Sequence, residues 1–128
     1  MKQVEELLAK RLANHIRKTY PDTPFRFDLT DKIGRTNGIR HKQLMGKWSR
    51  GYPDLFIAHP NKKYAGMYLE LKDTPNGEVP NTEHTREQAA YHEILRRQGY
   101  FCEFGVGYEK CVEMIDAYMS IKKRKKKQ

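Results

Sequence analysis

The chain has 128 residues, a length typical of one domain. Hydrophobic residues make up 38% of it and aromatic residues 11%, a composition that excludes a disordered, solvating protein. The formal net charge of +9 indicates a polyanionic partner, with nucleic acid ahead of an anionic membrane surface.

Residues 3 to 18 are predicted to form an amphipathic helix, because apolar side chains recur at every fourth position: Val4, Leu8, Leu12 and Ile16. Alternating apolar and charged residues then predict a half-buried strand over 24–29. The stretch 30–50 is polar, basic and punctuated by glycine, so we expect a loop with a short helix around 38–46. A loop of that length in a compact domain indicates a functional role.

The middle of the chain predicts two buried strands, over 53–58 and 66–72, joined by a turn at 59–63. Three charged side chains interrupt these apolar stretches: Asp54, Glu70 and Lys72. Side chains alternate along a strand, so Glu70 and Lys72 share one face. A buried charge is costly unless it is paired or binds a metal. The pattern therefore predicts a centre at which two carboxylates meet around a divalent cation with an ammonium beside them.

The second half of the chain predicts a helix, a strand and a closing helix. Thr85-Arg86-Glu87-Gln88 has the form of a capping box with Thr85 as the N-cap, and Gly99 suits the end of that helix after Gln98. A strand over 100–106 and a helix over 108–121 follow. We expect one α/β domain over 1–121, with a mixed sheet flanked by helices in the order α-β-β-β-α-β-α, and a disordered basic tail over 122–128.

The predicted centre suits phosphodiester hydrolysis, which needs a hard cation and charge that stabilises the transition state. Asp54 and Glu70 offer oxygen ligands for Mg²⁺ or Mn²⁺, and the backbone carbonyl of Leu71 is a further candidate ligand. Lys72, one pleat along from Glu70, would orient the attacking water and offset the growing negative charge.

These residues resemble a known family. Gly51-x-Pro53-Asp54, Glu70-x-Lys72 and Gln88 near the start of the next helix are similar to the PD-(D/E)XK nuclease superfamily, and within it to the VRR-NUC group (virus-type replication and repair nucleases), in particular its small stand-alone phage and bacterial members. The resemblance implies a restriction-endonuclease-like core, one or two Mg²⁺ or Mn²⁺ ions and no organic cofactor. Arg86 departs from the family, which has a proline at this helix start.

The resemblance also implies a substrate and further site residues. The expected activity is cleavage of DNA, often branched structures such as flaps or Holliday junctions, and some related resolvases are homodimers. A glutamate of the first helix is expected near the metal, and Glu5 fits the family pattern better than Glu6. Apart from the resemblance, basic residues of the loop before Gly51, at the rim of the site, and of the turn at 59–63 are expected to contact the DNA backbone: Arg35, Arg40, Lys42, Lys47, Arg50, Lys62 and Lys63.

Several alternatives remain open at this stage. Gln88 serves equally well as a capping residue or as an active-site residue. A DNA-binding module that keeps the nuclease fold without activity is the rival function, and RNA is a possible substrate.

The remaining features bear on the compartment. Cys102 and Cys111 form no metal-ligand spacing with any histidine, so both are predicted to be reduced packing thiols. No apolar run approaches the ~18 residues of a membrane helix, and the N-terminus lacks the apolar core of an export signal. We therefore expect a cytoplasmic protein without membrane contact, in the host cytoplasm if it is phage-encoded.

Overall fold

A computed structural model describes the chain over residues 2–29 and 51–125. The elements are α1 (Lys2–Thr19), β1 (Phe25–Phe27), β2 (Leu55–Ile57), β3 (Met67–Lys72), α2 (Glu83–Arg97), β4 (Phe101–Val106) and α3 (Tyr108–Met119). The predicted α/β class and the element order are confirmed. The helix expected around 38–46 lies outside the described residues.

The four strands form one mixed sheet in the order β1-β2-β3-β4. Strands β1 and β2 are antiparallel, as are β2 and β3, whereas β3 and β4 run parallel. Helix α2 makes the crossover that a parallel pair requires. Strand β3 therefore lies inside the sheet, and all six of its residues are buried, Glu70 and Lys72 among them.

Helices cover both faces of the sheet. Helices α1 and α3 pack on the face that carries the odd-numbered side chains of β3, and together they form the larger apolar core. Helix α2 packs on the other face, where Tyr91 and Leu95 contact Tyr68 and Cys102. The even-numbered side chains of β3 face α2, so Glu70 and Lys72 point to the same side as Tyr68.

Two of the differences between the predicted and the observed element boundaries concern the site. Strand β2 begins at Leu55 and not at residue 53, because Asp54 Oδ2 accepts from the backbone N of Leu71 (2.8 Å) and its carboxylate replaces a backbone acceptor there. Helix α2 begins at Glu83, with Thr82 as its N-cap. Thr85 is the third helical residue, and its hydroxyl is the group that reaches back to the N of Thr82 (3.1 Å). Gln88 therefore takes no part in the cap of α2.

Gly105 in β4 permits the close approach of α3 to the sheet. A Cβ at this position would lie 2.6 Å from the Sγ of Cys111, which is fully buried. Both cysteines are buried free thiols, as expected from the sequence. Gly107, with a φ of 84°, is the N-cap of α3, and its N donates to the carbonyl of Lys72 (2.9 Å). This packing fixes the end of β3 that carries Lys72.

Gly105→Ala is expected to lower the free energy of unfolding by roughly 1–3 kcal/mol through overpacking against Cys111. Urea denaturation measures the change. Because the clash is with Sγ, Cys111→Ala in the same chain should recover part of the loss in a double-mutant cycle. Gly77→Ala is the control: its φ of 73° carries a cost of its own, but a Cβ there meets no atom within 4 Å, so its effect should add to that of Cys111→Ala. Additive losses for Gly105→Ala and Cys111→Ala would contradict the close contact.

Candidate active site

Asp54 lies at the point where three strands come together. The β1–β2 pairing ends at Phe27 opposite Leu55, and beyond it the N of Asp28 donates to the carbonyl of Asp54 (2.6 Å). On its other side, Asp54 Oδ2 accepts from the N of Leu71. Asp54 therefore bridges β1 and β3 at one end of the sheet, and only 3% of its surface is exposed.

Glu70 and Lys72 lie directly beside Asp54. The register that pairs Leu55 with Leu69 places Glu70 opposite Asp54 one residue further along. Glu70 is fully buried and Lys72 is 7% exposed. Lys72 Nζ lies 6.0 Å from the ring centroid of Phe104 in β4. The sheet thus brings together the two carboxylates and the ammonium that the sequence singled out, in surroundings that exclude most water.

Gln88 occupies the second turn of α2, against the segment that leads to Asp54. A Cβ on Gly51 would lie 3.6 Å from the Cα of Gln88, and the φ of 82° at Gly51 lets the chain turn there. The side chain of Gln88 is 3% exposed, and its Oε1 has no hydrogen-bond partner among the described residues. A buried carbonyl oxygen without a donor costs about 1–3 kcal/mol, so it is a ready acceptor for a water or a substrate group.

Sequence reasoning missed His92, which lies one helical turn after Gln88. Its side chain is fully buried, and its ring packs against Phe104 at a tilt of 54° with 4.6 Å between the ring centroids. Lys72 also approaches Phe104. Neither ring nitrogen has a hydrogen-bond partner within the described part of the chain. Burial, reinforced by the positive charges of Arg96 and Lys72, lowers the pKa of His92 to about 4. The neutral ring therefore adds no positive charge beside Lys72 near neutral pH.

The low pKa of His92 implies a loss of stability in acid. The folded pKa lies below the unfolded value of 6.5. Between pH 6.5 and pH 4 the unfolded chain therefore binds a proton at His92 that the folded chain does not bind, and the folded state loses stability. Between pH 7 and pH 5 this costs about 2 kcal/mol. His92→Leu should remove that part of the pH dependence in urea denaturation. His84→Leu is the matched control, because His84 is exposed. Equal pH dependence in His92→Leu and wild type would contradict the assignment.

Asp28 is a second residue that sequence reasoning missed. It follows β1 and lines a cleft of about 350 Å³ together with Asp54, Tyr52 and Arg26. The continuation of the β1–β2 register places Asp28 opposite Asp54. The sequence predicted a half-buried strand over 24–29 that contains Asp28, but it did not indicate that this strand borders the site.

The remaining candidate metal ligands are the acidic residues of α1 and the backbone oxygen of Leu71. The described residues contain no group of three or more His, Cys, Asp or Glu side chains that could hold a metal ion. Glu6 lies 3.9 Å from Lys10 in a surface ion pair, and Glu5 is half-buried in the first turns of α1. A metal here would rest on Asp54, Glu70, backbone oxygen such as that of Leu71, and water, which is a common arrangement for Mg²⁺.

The expected DNA contacts divide into two groups. Arg35, Arg40, Lys42, Lys47 and Arg50 lie outside the described residues. Lys62 and Lys63 lie in the turn between β2 and β3, at the end of the strands opposite to Asp54 and Glu70. They are exposed, and they do not border the cleft beside Asp54.

A solved structure named "VRR_NUC domain protein" superimposes on this chain with a TM-score of 0.64 and 23% sequence identity, over 93% of this chain and 90% of that one. The chain has a VRR-NUC-like fold. No known family model matches the sequence, and no curated protein matches it. The VRR-NUC-like fold contains, within the described ranges, no helix that is both long and apolar enough to span a bilayer.

Proposed function

We propose that this chain is a metal-dependent endonuclease that hydrolyses phosphodiester bonds in DNA. The observation that carries the proposal is the meeting of two buried carboxylates, Asp54 and Glu70, at one point of the sheet beside the buried Lys72. Three charged groups in a largely apolar setting are costly for stability, so their presence together points to function. The VRR-NUC-like fold supports the nuclease class.

The donor set fits a hard divalent cation. Carboxylate and carbonyl oxygens suit Mg²⁺ or Mn²⁺, and Mg²⁺ is commonly bound by one or two carboxylates while it keeps several waters. One or two such ions, when bound, would act as a Lewis acid on the scissile phosphate and favour deprotonation of water. Asp54 and Glu70 are the expected ligands, with the Leu71 carbonyl as a third and Glu5 as a further acid from α1.

Lys72 and Gln88 have separate roles in the proposed reaction. The ammonium of Lys72 would hold the attacking water in line with the phosphorus and offset the negative charge that develops on the phosphate oxygens. Oε1 of Gln88 would accept a hydrogen bond from that water or from a neighbouring one, since it lacks a partner in the described structure. Tight burial around both groups strengthens these interactions because water screens them poorly.

The proposed substrate is branched DNA, such as a flap or a Holliday junction. The net charge of +9 supports backbone contacts, including those proposed for the basic residues of 30–50. A homodimer would supply two active sites for symmetric junction cleavage, and light scattering with and without junction DNA measures that state.

A cleavage panel tests the proposal. Single-stranded, linear duplex, flap and four-way DNA are incubated with the full chain in Mg²⁺, Mn²⁺ or chelator. We expect cutting of branched DNA within the strand, in either metal and not in chelator. Failure to cut any DNA by protein shown to be folded would contradict the nuclease assignment. Equal cutting of linear and branched DNA would contradict the structural preference.

A further inference from the structure

Six exposed cations gather where the C-terminal tail meets the turn between β2 and β3. The tail follows α3, and two hydrogen bonds attach it: Lys62 N donates to the carbonyl of Lys122 (2.9 Å), and Arg124 Nε donates to the carbonyl of Asn61 (2.9 Å). These bonds place two segments that are distant in sequence on one surface. We call this surface the tail–turn patch; it comprises Lys62, Lys63, Lys122, Lys123, Arg124 and Lys125.

The turn beneath the patch is firmly held. Asn61 is fully buried, and its Oδ1 accepts from the backbone N of Lys63 (2.9 Å) and of Tyr64 (2.8 Å). The hydroxyl of Tyr118 in α3 donates to the carbonyl of His59 (2.6 Å). Side-chain and backbone bonds therefore fix the turn to α3, so the lysines project from an ordered base.

The positive charge of the patch is not neutralised by neighbouring acids. Among the described carboxylates, none forms an ion pair with any of the six cations, whereas Lys10 and Lys110 lie beside Glu6 (3.9 Å) and Glu113 (3.7 Å). Burial lowers the pKa of His59, at the base of the patch, and the positive charge of Lys123 lowers it further. Concentrated positive charge of this kind attracts a polyanion.

The patch and the candidate active site lie at opposite ends of the domain. Strand β3 alone separates Met67 from Glu70 by about 10 Å, at the usual rise of a strand. Helix α3 begins beside Lys72, where Gly107 N bonds the Lys72 carbonyl, and it ends at Met119 beside the turn. Twelve helical residues span about 17 Å. One phosphate therefore cannot contact both places.

We propose that the tail–turn patch binds the phosphate backbone of duplex DNA at a distance of roughly five base pairs from the reacting phosphate, given ~3.4 Å per base pair. A DNA arm shorter than this distance would not reach the patch, so the patch sets a minimum length for the arm that the protein binds. This inference rests on the proposed nuclease function and deepens it, because it states how far the bound duplex must extend from the cut.

The test compares DNA binding by three double variants with wild type. Lys62→Gln/Lys63→Gln removes charge from the turn, and Lys123→Gln/Lys125→Gln removes it from the tail. Lys10→Gln/Lys110→Gln is the control, since those lysines already lie beside carboxylates. Fluorescence anisotropy in chelator records affinity without cleavage, across a salt series, for branched DNA with arms of about 4 or about 20 base pairs, lengths chosen on either side of the spacing above.

We expect both patch variants to bind long-armed DNA about tenfold more weakly than wild type. The slope of log affinity against log salt concentration should become shallower by up to ~2, since each phosphate that the protein no longer neutralises accounts for ~0.9. Binding to short arms and binding by the control should stay within about twofold of wild type, because neither case involves a phosphate held by the patch. Equal weakening on both arm lengths, or unchanged binding to long arms, would overturn the inference.

Two further outcomes separate this inference from its alternatives. If the same variants lose binding to phosphatidylglycerol vesicles while DNA binding is unchanged, the patch serves a membrane surface and the inference is wrong. Binding is measured without metal, so it does not depend on catalysis. Wild-type protein that binds long arms through the patch but cuts no DNA in Mg²⁺ would refute the nuclease proposal and leave the DNA-binding surface in place.

Discussion

Asp54→Asn is expected to reduce cleavage of branched DNA by about a thousandfold, which corresponds to a loss of ~4 kcal/mol in transition-state stabilisation. The asparagine removes the negative charge that would bind the cation. It keeps an oxygen that can accept from the N of Leu71, so the local backbone should stay in place. Initial rates in Mg²⁺ measure the effect, and anisotropy measures binding.

Asp22→Asn is the matched control for this substitution, because Asp22 is exposed in the turn after α1. Its rate should stay within about twofold of wild type, as expected of a surface change far from special features. Thermal unfolding should show that Asp54→Asn is folded. Cleavage by Asp54→Asn at the wild-type rate would contradict the assignment of the metal site.

Glu70→Gln is expected to remove the stabilisation of the folded protein by metal. Glutamine keeps the shape of this fully buried side chain but lacks the charge that would bind the cation. A ligand at 100 times its Kd stabilises the folded state by about 2.7 kcal/mol. The difference between the free energies of unfolding in Mn²⁺ and in chelator, from urea denaturation, measures this effect.

Glu103→Gln provides the comparison for Glu70→Gln, since Glu103 lies on β4 in a partly exposed ion pair with Arg96 (3.2 Å). Its effect should stay within about 1 kcal/mol, and its response to Mn²⁺ should match wild type. A Glu70→Gln protein that Mn²⁺ still stabilises fully would show that the cation binds elsewhere.

Cleavage by the wild-type chain and by Lys72→Ala distinguishes a nuclease from the rival function, a non-catalytic DNA-binding module. In a nuclease, Lys72→Ala should abolish most cleavage and leave the salt-dependent binding of DNA largely intact. A binding module would show no cleavage in the wild-type chain either. The buried position of Lys72 favours the nuclease, because an ammonium that only attracts the DNA backbone would lie on the surface.

The sequence predicted the centre of the sheet well because its signal is local. Charged residues inside short apolar stretches are rare, and the alternation of side chains assigns Glu70 and Lys72 to one face whatever the rest of the fold. The spacing between Asp54 and Glu70 matches a simple antiparallel connection, and the structure pairs β2 with β3 in that way. Local pattern and tertiary pairing therefore agree at these residues.

The helix α2 shows where the sequence pattern was insufficient. The sequence pattern indicated Thr85 as the N-cap, whereas in the structure Thr82 is the N-cap. Thr85 is buried and hydrogen-bonded within the cap, which places Gln88 on the inward face. His92 escaped notice because a lone histidine on a helix has no pattern. Its importance arises from Phe104 and Lys72, which come from other elements.

The most direct measurement of the central claim is an anomalous diffraction map from crystals soaked in Mn²⁺. We expect a peak between the carboxylates of Asp54 and Glu70, within about 2–2.5 Å of an oxygen of each. Chelator should remove the peak. A Mn²⁺ peak elsewhere in protein that cleaves DNA, with none between these two side chains, would contradict the claim.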